Sequence, residues 1–116
     1  MKMTKKVLDG VDVIHVDEDR IDASVAIQFK DRFRALISDG RGPVVLDLSH
    51  VVFLDSSGLG AVVAARKLLG EERLLALSGL NPAVDKVMQL TRMNTIFPIH
   101  SDVPTALTQH RAKPAA

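Results

Sequence analysis

The spacing of apolar positions changes several times along the chain, and each change predicts an element. Val7-Leu8 and Val11 to Val16 flank Asp9-Gly10, a dipeptide suited to the positive φ angles of a tight turn, so the chain opens on a β-hairpin. From Ser24 the period becomes helical: Val25, Phe29, Phe33, Leu36 and Ile37 share one face, and Lys30, Asp31, Arg32 and Arg34 take the other. Ser24 is the expected cap, and Gly40 with Gly42-Pro43 ends the helix. Val44 to Leu48 is a short aliphatic run bounded by Pro43, the pattern of a central strand buried on both faces. Leu59 to Leu69 predicts a helix with a buried N-terminal half, closed by Gly70.

Arg73 to Leu77 predicts a second aliphatic strand. Asn81-Pro82 predicts a helix start, because proline at the first helical position gives up no needed N–H, and Val84, Val87, Met88 and Thr91 then fall on one face. Ile96 to Ile99 reads as a short strand that Pro98 confines to a sheet edge, and Ser101 or Asp102 caps a last helix through Ala106 and Leu107. A hairpin followed by αβαβαβα implies an α/β fold: a mixed, mostly parallel sheet with an N-terminal β-hairpin and crossover helices.

Composition narrows this picture. At 116 residues the chain fits one domain over residues 1–116, with an ordered core from about 5 to 110 and a flexible tail at 112–116. With 47% apolar residues and 3% aromatic ones the core must be aliphatic. The lack of cysteine excludes a disulfide framework, a thiolate nucleophile and Cys-ligated zinc. A net charge of +1 with both signs interspersed argues against nucleic acid or an anionic membrane as partner. Asp9 and Asp12 follow Lys2, Lys5 and Lys6 before any long apolar run, so no signal peptide is expected, and no segment approaches the ~20 apolar residues of a membrane span. These features predict a soluble cytoplasmic protein that needs no cofactor.

The chemistry concentrates where the strand at Val44 opens onto Asp55-Ser56-Ser57-Gly58. Helix capping accounts for Asp55 and Gly58 but leaves two hydroxyls spare. A nucleophilic serine on a hydrolase elbow would need glycine two residues before it, and Leu54 stands there for Ser56; His50 carries no sign of an oriented base. Phosphorylation suits the position better. A phosphate adds roughly −1.5 to −2 charge, which a helix N-terminus tolerates, so the fold survives while the surface changes sign.

Three other features carry less. The acidic run Asp17-Glu18-Asp19-Arg20-Ile21-Asp22 lacks the ligand spacing and glycine of a calcium loop and reads as a solvated turn, with Asp22 as a capping or partner-facing residue. Gly58-Leu59-Gly60 is too short for a phosphate-binding loop and is expected to serve packing. His15, His50, His100 and His110 are scattered without ligand spacing, and Arg66, Lys67 and Arg73 form a modest basic patch at a solvated helix end.

"VVLDLSHVVFLDSSGLGAVVAARKLL" resembles the core signature of the STAS domain, the family of bacterial anti-sigma factor antagonists; "RIDASVAIQFKDRFRALI" resembles its acidic loop and first helix, and "NPAVDKVMQL" its later helix. The resemblance runs from about Val11 to about Leu107 and implies a non-enzymatic regulator acting by partner switching. Carried over by position, Ser56 is the residue phosphorylated by a serine kinase that is also the anti-sigma factor, and a metal-dependent serine phosphatase reverses the modification. The unphosphorylated form binds the kinase and frees the sigma factor. The implied partner surface comprises Asp22, Asp55, Ser56, Ser57, Gly58 and Leu59, on a monomer or weak dimer. The same resemblance admits a subunit of a transporter ATPase complex or a sensory scaffold, never phosphorylated. Asp19-Arg20-Ile21-Asp22 stands where many members have Gly-Glu-Leu-Asp, and Thr91-Arg92 where Ser-Gly often follows the third helix.

Overall fold

The computed structural model describes residues 1–111, and the tail expected at 112–116 lies outside them. Strands β1 (Met3–Leu8) and β2 (Val11–Val16) form the opening hairpin, with Asp9 at φ 52° and Gly10 at φ 76° in its turn. The order continues through β3 (Arg20–Ile21), α1 (Ala26–Ile37), β4 (Val44–Asp47), β5 (Phe53–Leu54), α2 (Ser56–Leu69), β6 (Leu75–Ser78), α3 (Pro82–Leu90), β7 (Ile99–His100) and α4 (Val103–His110). Five strands make the main sheet in the order β1-β2-β4-β6-β7, antiparallel only at the hairpin, so β4 is central as its unbroken apolar run predicts.

Alternation along the strands sends side chains to two unequal cores. Ile14, Val16, Val44, Leu46, Leu75 and Leu77 face a large core closed by Phe29 and Phe33 of α1, Val62 and Ala65 of α2, and Val84 and Met88 of α3. Phe29 and Phe33 are fully buried with ring centroids 6.1 Å apart, and such burial contributes roughly 2–3 kcal/mol per ring. Val11, Val13, Val45 and Ala76 face the other way, where, among the described residues, only Ala106 of α4 joins them as a buried residue.

Several expectations are corrected. The strand at the start begins at Met3, whose side chain is buried, rather than at residue 7. Ser24 does not cap α1; Val25 occupies that position without a side-chain bond, and the Ser24 N–H and hydroxyl donate to Asp22 instead. Burial in α2 follows a stripe, Gly58, Ala61, Val62, Ala65 and Leu69, over its whole length, while Ser56, Ser57, Gly60, Arg66 and Lys67 are exposed and Val63 and Ala64 only half-buried. Thr91 is exposed beyond the end of α3, its hydroxyl donating to the Val87 carbonyl. Of the strand expected over 96–99 only Ile99 lies in a ladder: a 3₁₀ turn at Met93–Thr95 and an irregular stretch precede β7, which starts after Pro98 because proline cannot donate to the ladder; β7 is at the sheet edge as anticipated. The last helix is capped by Asp102, whose Oδ1 accepts the Thr105 N–H at 2.8 Å.

Arg73 is not part of a surface patch. Its guanidinium turns inward, donating from Nη2 to buried Asp12 (3.1 Å), from Nε to the Gly42 carbonyl (2.8 Å) and from Nη1 to the Ile37 carbonyl (2.9 Å). One cation thereby satisfies a buried carboxylate, a loop carbonyl and the last carbonyl of α1, the condition under which a buried charge is tolerable.

Candidate functional site at the start of the second helix

The Asp-Ser-Ser-Gly junction is built by a small second sheet that the apolar pattern did not reveal. Within the expected acidic turn, Arg20–Ile21 forms β3 and pairs in parallel with β5, Arg20 opposite Phe53 and Ile21 opposite Leu54. Ile21 and Leu54 point inward and are buried, whereas Phe53 is 52% exposed. This ribbon brings the loop after β3 beside the residue that begins α2.

Asp55 then uses both carboxylate oxygens. Oδ1 accepts the Gly58 N–H at 2.7 Å and caps the helix, while Oδ2 accepts the Ala23 N–H at 3.2 Å and ties down the loop that carries Asp22. Extended geometry at Asp55 (φ −93°, ψ −175°) suits this role, and the helical bond from the Leu59 N–H to the Asp55 carbonyl follows at 2.8 Å. Gly58 is glycine for a steric reason: a Cβ there would lie 1.8 Å from the Ile21 carbonyl oxygen, so β3 can pack on α2 only if that position carries no side chain.

With the cap at Asp55, Ser56 and Ser57 are the first two helical residues, and both are exposed. Asp22 is mostly covered and accepts the Ser24 N–H at 3.0 Å; the Ser24 hydroxyl beside it holds its carboxyl below the usual carboxylate range. Arg20 reaches Asp19 at 3.4 Å and Asp22 only at 4.0 Å, both loose surface pairs. Of the six expected surface residues, Ser56 and Ser57 stand fully outward, Asp22, Asp55 and Leu59 are partly covered, and Gly58 is buried. The Asp22 loop and the serine turn, 33 residues apart in sequence at Asp22 and Asp55, are thus one structural unit.

Exposed apolar residues adjoin these segments in sequence. Val52 (55% exposed) and Phe53 lead into the junction, and Ile27 (69% exposed) stands in the first turn of α1 just after the Asp22 loop. Nothing in the local pattern distinguishes Val52 and Phe53 from the buried valines at 44 and 45. Two cavities lie elsewhere. One of about 490 Å³ is lined by Arg66, Lys67, Leu74 and Ile96 among others, and one of about 330 Å³ by Leu80, Asp85, Ile99, His100 and Ser101.

The histidines are less scattered than their spacing suggests. His15 Nδ1 is 2.7 Å from Asp47 Oδ2 on the neighbouring strand, and His100 Nε2 is 2.8 Å from His110 Nε2. Among the described residues no three His, Cys, Asp or Glu side chains gather as a metal-binding group, and no helix is long and apolar enough to cross a membrane.

The STAS domain family model matches residues 2–106. The chain belongs to the STAS domain family. A protein of Bordetella bronchiseptica that carries the name anti-sigma factor antagonist BtrV is 30% identical over 100 residues, 85% of each chain. The anti-sigma F factor antagonist of Paenibacillus polymyxa is 33% identical over 67 residues, a match that spans 57% of either protein. The crystal structure of an anti-sigma factor antagonist from Mycobacterium paratuberculosis superimposes with a TM-score of 0.82 at 32% identity, covering 96% of both chains. The matched residues include the whole β5–α2 junction and the Asp22 loop.

Proposed function

We propose that this protein is a single STAS domain acting as an anti-sigma factor antagonist, a non-enzymatic regulator whose affinity for an anti-sigma factor is set by phosphorylation of Ser56. The observation that carries this reading is the position of Ser56: exposed, first in the helix, and adjacent to a carboxylate that also holds the Asp22 loop. Unmodified, the surface offers the exposed apolar side chains of Val52, Phe53 and Ile27 near the junction, an area suited to a protein partner. A phosphate at Ser56 adds roughly −1.5 to −2 charge beside Asp55 and Asp22, favourable to the helix dipole but adverse to a partner shaped for the uncharged serine. The partner is an anti-sigma factor with serine kinase activity, and a serine phosphatase resets the switch. Gly58 contributes by position and Ser57 as a neighbour. The names carried by the relatives support the anti-sigma factor as the class of partner.

The test is intact-mass measurement with site mapping on protein recovered from its native cells, alongside capture of partners by wild type, Ser56→Ala, Ser56→Asp and Ser57→Ala. We expect phosphate on Ser56, retained in Ser57→Ala. Ser56→Ala should hold a serine-kinase-like partner, and Ser56→Asp should bind it roughly tenfold or more weakly, since a like charge in an interface costs several kcal/mol. Equal capture by the two Ser56 variants overturns the switch. An unmodified Ser56 with a transporter ATPase bound identifies a structural STAS subunit instead.

A further inference from the structure

Asn81 stands at the cap position of α3 and does not cap it. In α2 and α4 the residue at that position, Asp55 or Asp102, returns its carboxylate to the N–H three residues on. Asparagine is as good a cap as aspartate, yet the Asn81 side chain makes no such bond. Its Nδ2 turns to the loop between β4 and β5 instead, donating to the Ser49 carbonyl at 2.9 Å and to the Val51 carbonyl at 2.8 Å. Both amide hydrogens are thereby committed to a segment 32 and 30 residues earlier in the chain.

Gly79 lets the two segments approach. It holds φ 71°, and a Cβ there would lie 3.0 Å from the Ser49 Cβ and 3.2 Å from Asp47 Oδ1. From the clamped loop the chain leads directly to the serine turn. Val51 is buried, the Val52 N–H donates to the Asp19 carbonyl at 2.8 Å, and the Phe53 N–H reaches the same carbonyl at 3.3 Å. Phe53–Leu54 then pairs with β3, and Asp55 ties to Ala23. The start of α3 is thus linked, through one loop and its hydrogen bonds, to the exposed Val52 and Phe53.

We propose that Asn81 is a positioning residue for partner docking: by clamping the Ser49 and Val51 carbonyls it fixes the β4–β5 loop so that Val52 and Phe53 are held outward ahead of the serine turn. This rests on the reading of the Ser56 surface as the docking site. Without the clamp a partner must order the loop as it binds, and that cost weakens association. A helix that needed only a cap would be served equally by serine or aspartate at 81. The loop uses two N–H groups on one planar head, and among the capping side chains only asparagine supplies them.

Asn81→Ser and Asn81→Asp test it in the full chain, because both keep a capping side chain and remove the two-donor amide. Amide hydrogen exchange is read first. We expect the Val52 and Phe53 amides to exchange roughly tenfold or more faster in both variants, with those of Val62 to Leu69 in α2 unchanged. In a Ser56→Ala background, which fixes the unmodified state, both variants should hold the serine-kinase-like partner roughly tenfold more weakly than Ser56→Ala alone. Wild-type exchange at Val52 and Phe53 in both variants overturns the clamp, and faster exchange with undiminished capture overturns its part in docking. Acceleration that extends through α2 would make Asn81 a residue of general stability and overturn the proposal equally. If Ser56→Ala itself holds no such partner, the docking surface falls and this role with it, even where exchange supports the clamp.

Discussion

Two helices in this molecule begin in nearly the same way, and only one of those beginnings is tied to a second segment of the chain. Asp55 caps α2 and Asp102 caps α4, each through Oδ1 to the N–H three residues on, at 2.7 and 2.8 Å. The cap at Asp102 ends there. At Asp55 the second carboxylate oxygen reaches a different segment, Ala23 of the Asp22 loop, and the third residue is a glycine pressed against the β3 backbone. The first two helical residues are Val103-Pro104 in α4 and Ser56-Ser57 in α2. One local motif thus serves as a plain helix start or, with a tertiary contact added, as a turn that carries two exposed serines and is tied to a loop.

The sharpest way to break that contrast is Gly58→Ala. The new methyl meets a backbone carbonyl, which cannot swing aside, so we expect a loss of about 3 kcal/mol in urea unfolding, the upper range for an overpacked site. A loss under half of that would mean β3 can lift off α2 at little cost.

Next in size is the pair Asp55→Ala and Asp102→Ala. Loss of a cap costs about 1 kcal/mol, and loss of the Ala23 bond should raise the Asp55 figure to about 2 kcal/mol. Equal destabilisation by the two variants would show that the tether contributes nothing.

Gly60→Ala, two residues beyond Gly58, should act in the opposite direction. A Cβ there meets nothing within 4 Å, so the helix gains about 0.5–1 kcal/mol of stability. Destabilisation would place an unseen constraint on the exposed face of α2.

The smallest effect concerns the far end of α4. Because burial and His100 lower the affinity of His110 for a proton, the unfolded chain protonates this residue first as pH falls. The contribution is therefore present above the ordinary histidine value of 6.5 and is lost on acidification below it. Urea midpoints at about pH 7.5 and 5.5 should differ more in wild type than in His110→Gln. An identical pH response in the two proteins would remove His110 as the cause.

Much of this was legible in the linear pattern. Asp9-Gly10 requires a hairpin, Phe29 and Phe33 repeat at helical spacing, the aliphatic run at Val44 is central, and Asp55 caps with two hydroxyls to spare. The misses share a cause. Arg20–Ile21 and Phe53–Leu54 are too short to carry a period, so their pairing exists only because each supplies the other with a ladder. Val52 and Phe53 look like core until the ribbon turns them outward. Arg73 looks like a surface charge until Asp12 draws it in.

Local chemistry, then, determined the order of elements, the central strand, the cap at Asp55 and the spare serine that follows it, because periodicity, turn propensity and capping act within a few residues. Tertiary structure alone decided that Asp22 and Ser56 share one surface, that Gly58 must lack a side chain, and that His100 meets His110. These depend on contacts between segments 10 to 37 residues apart, where no local preference operates and only the packed sheet sets the distance.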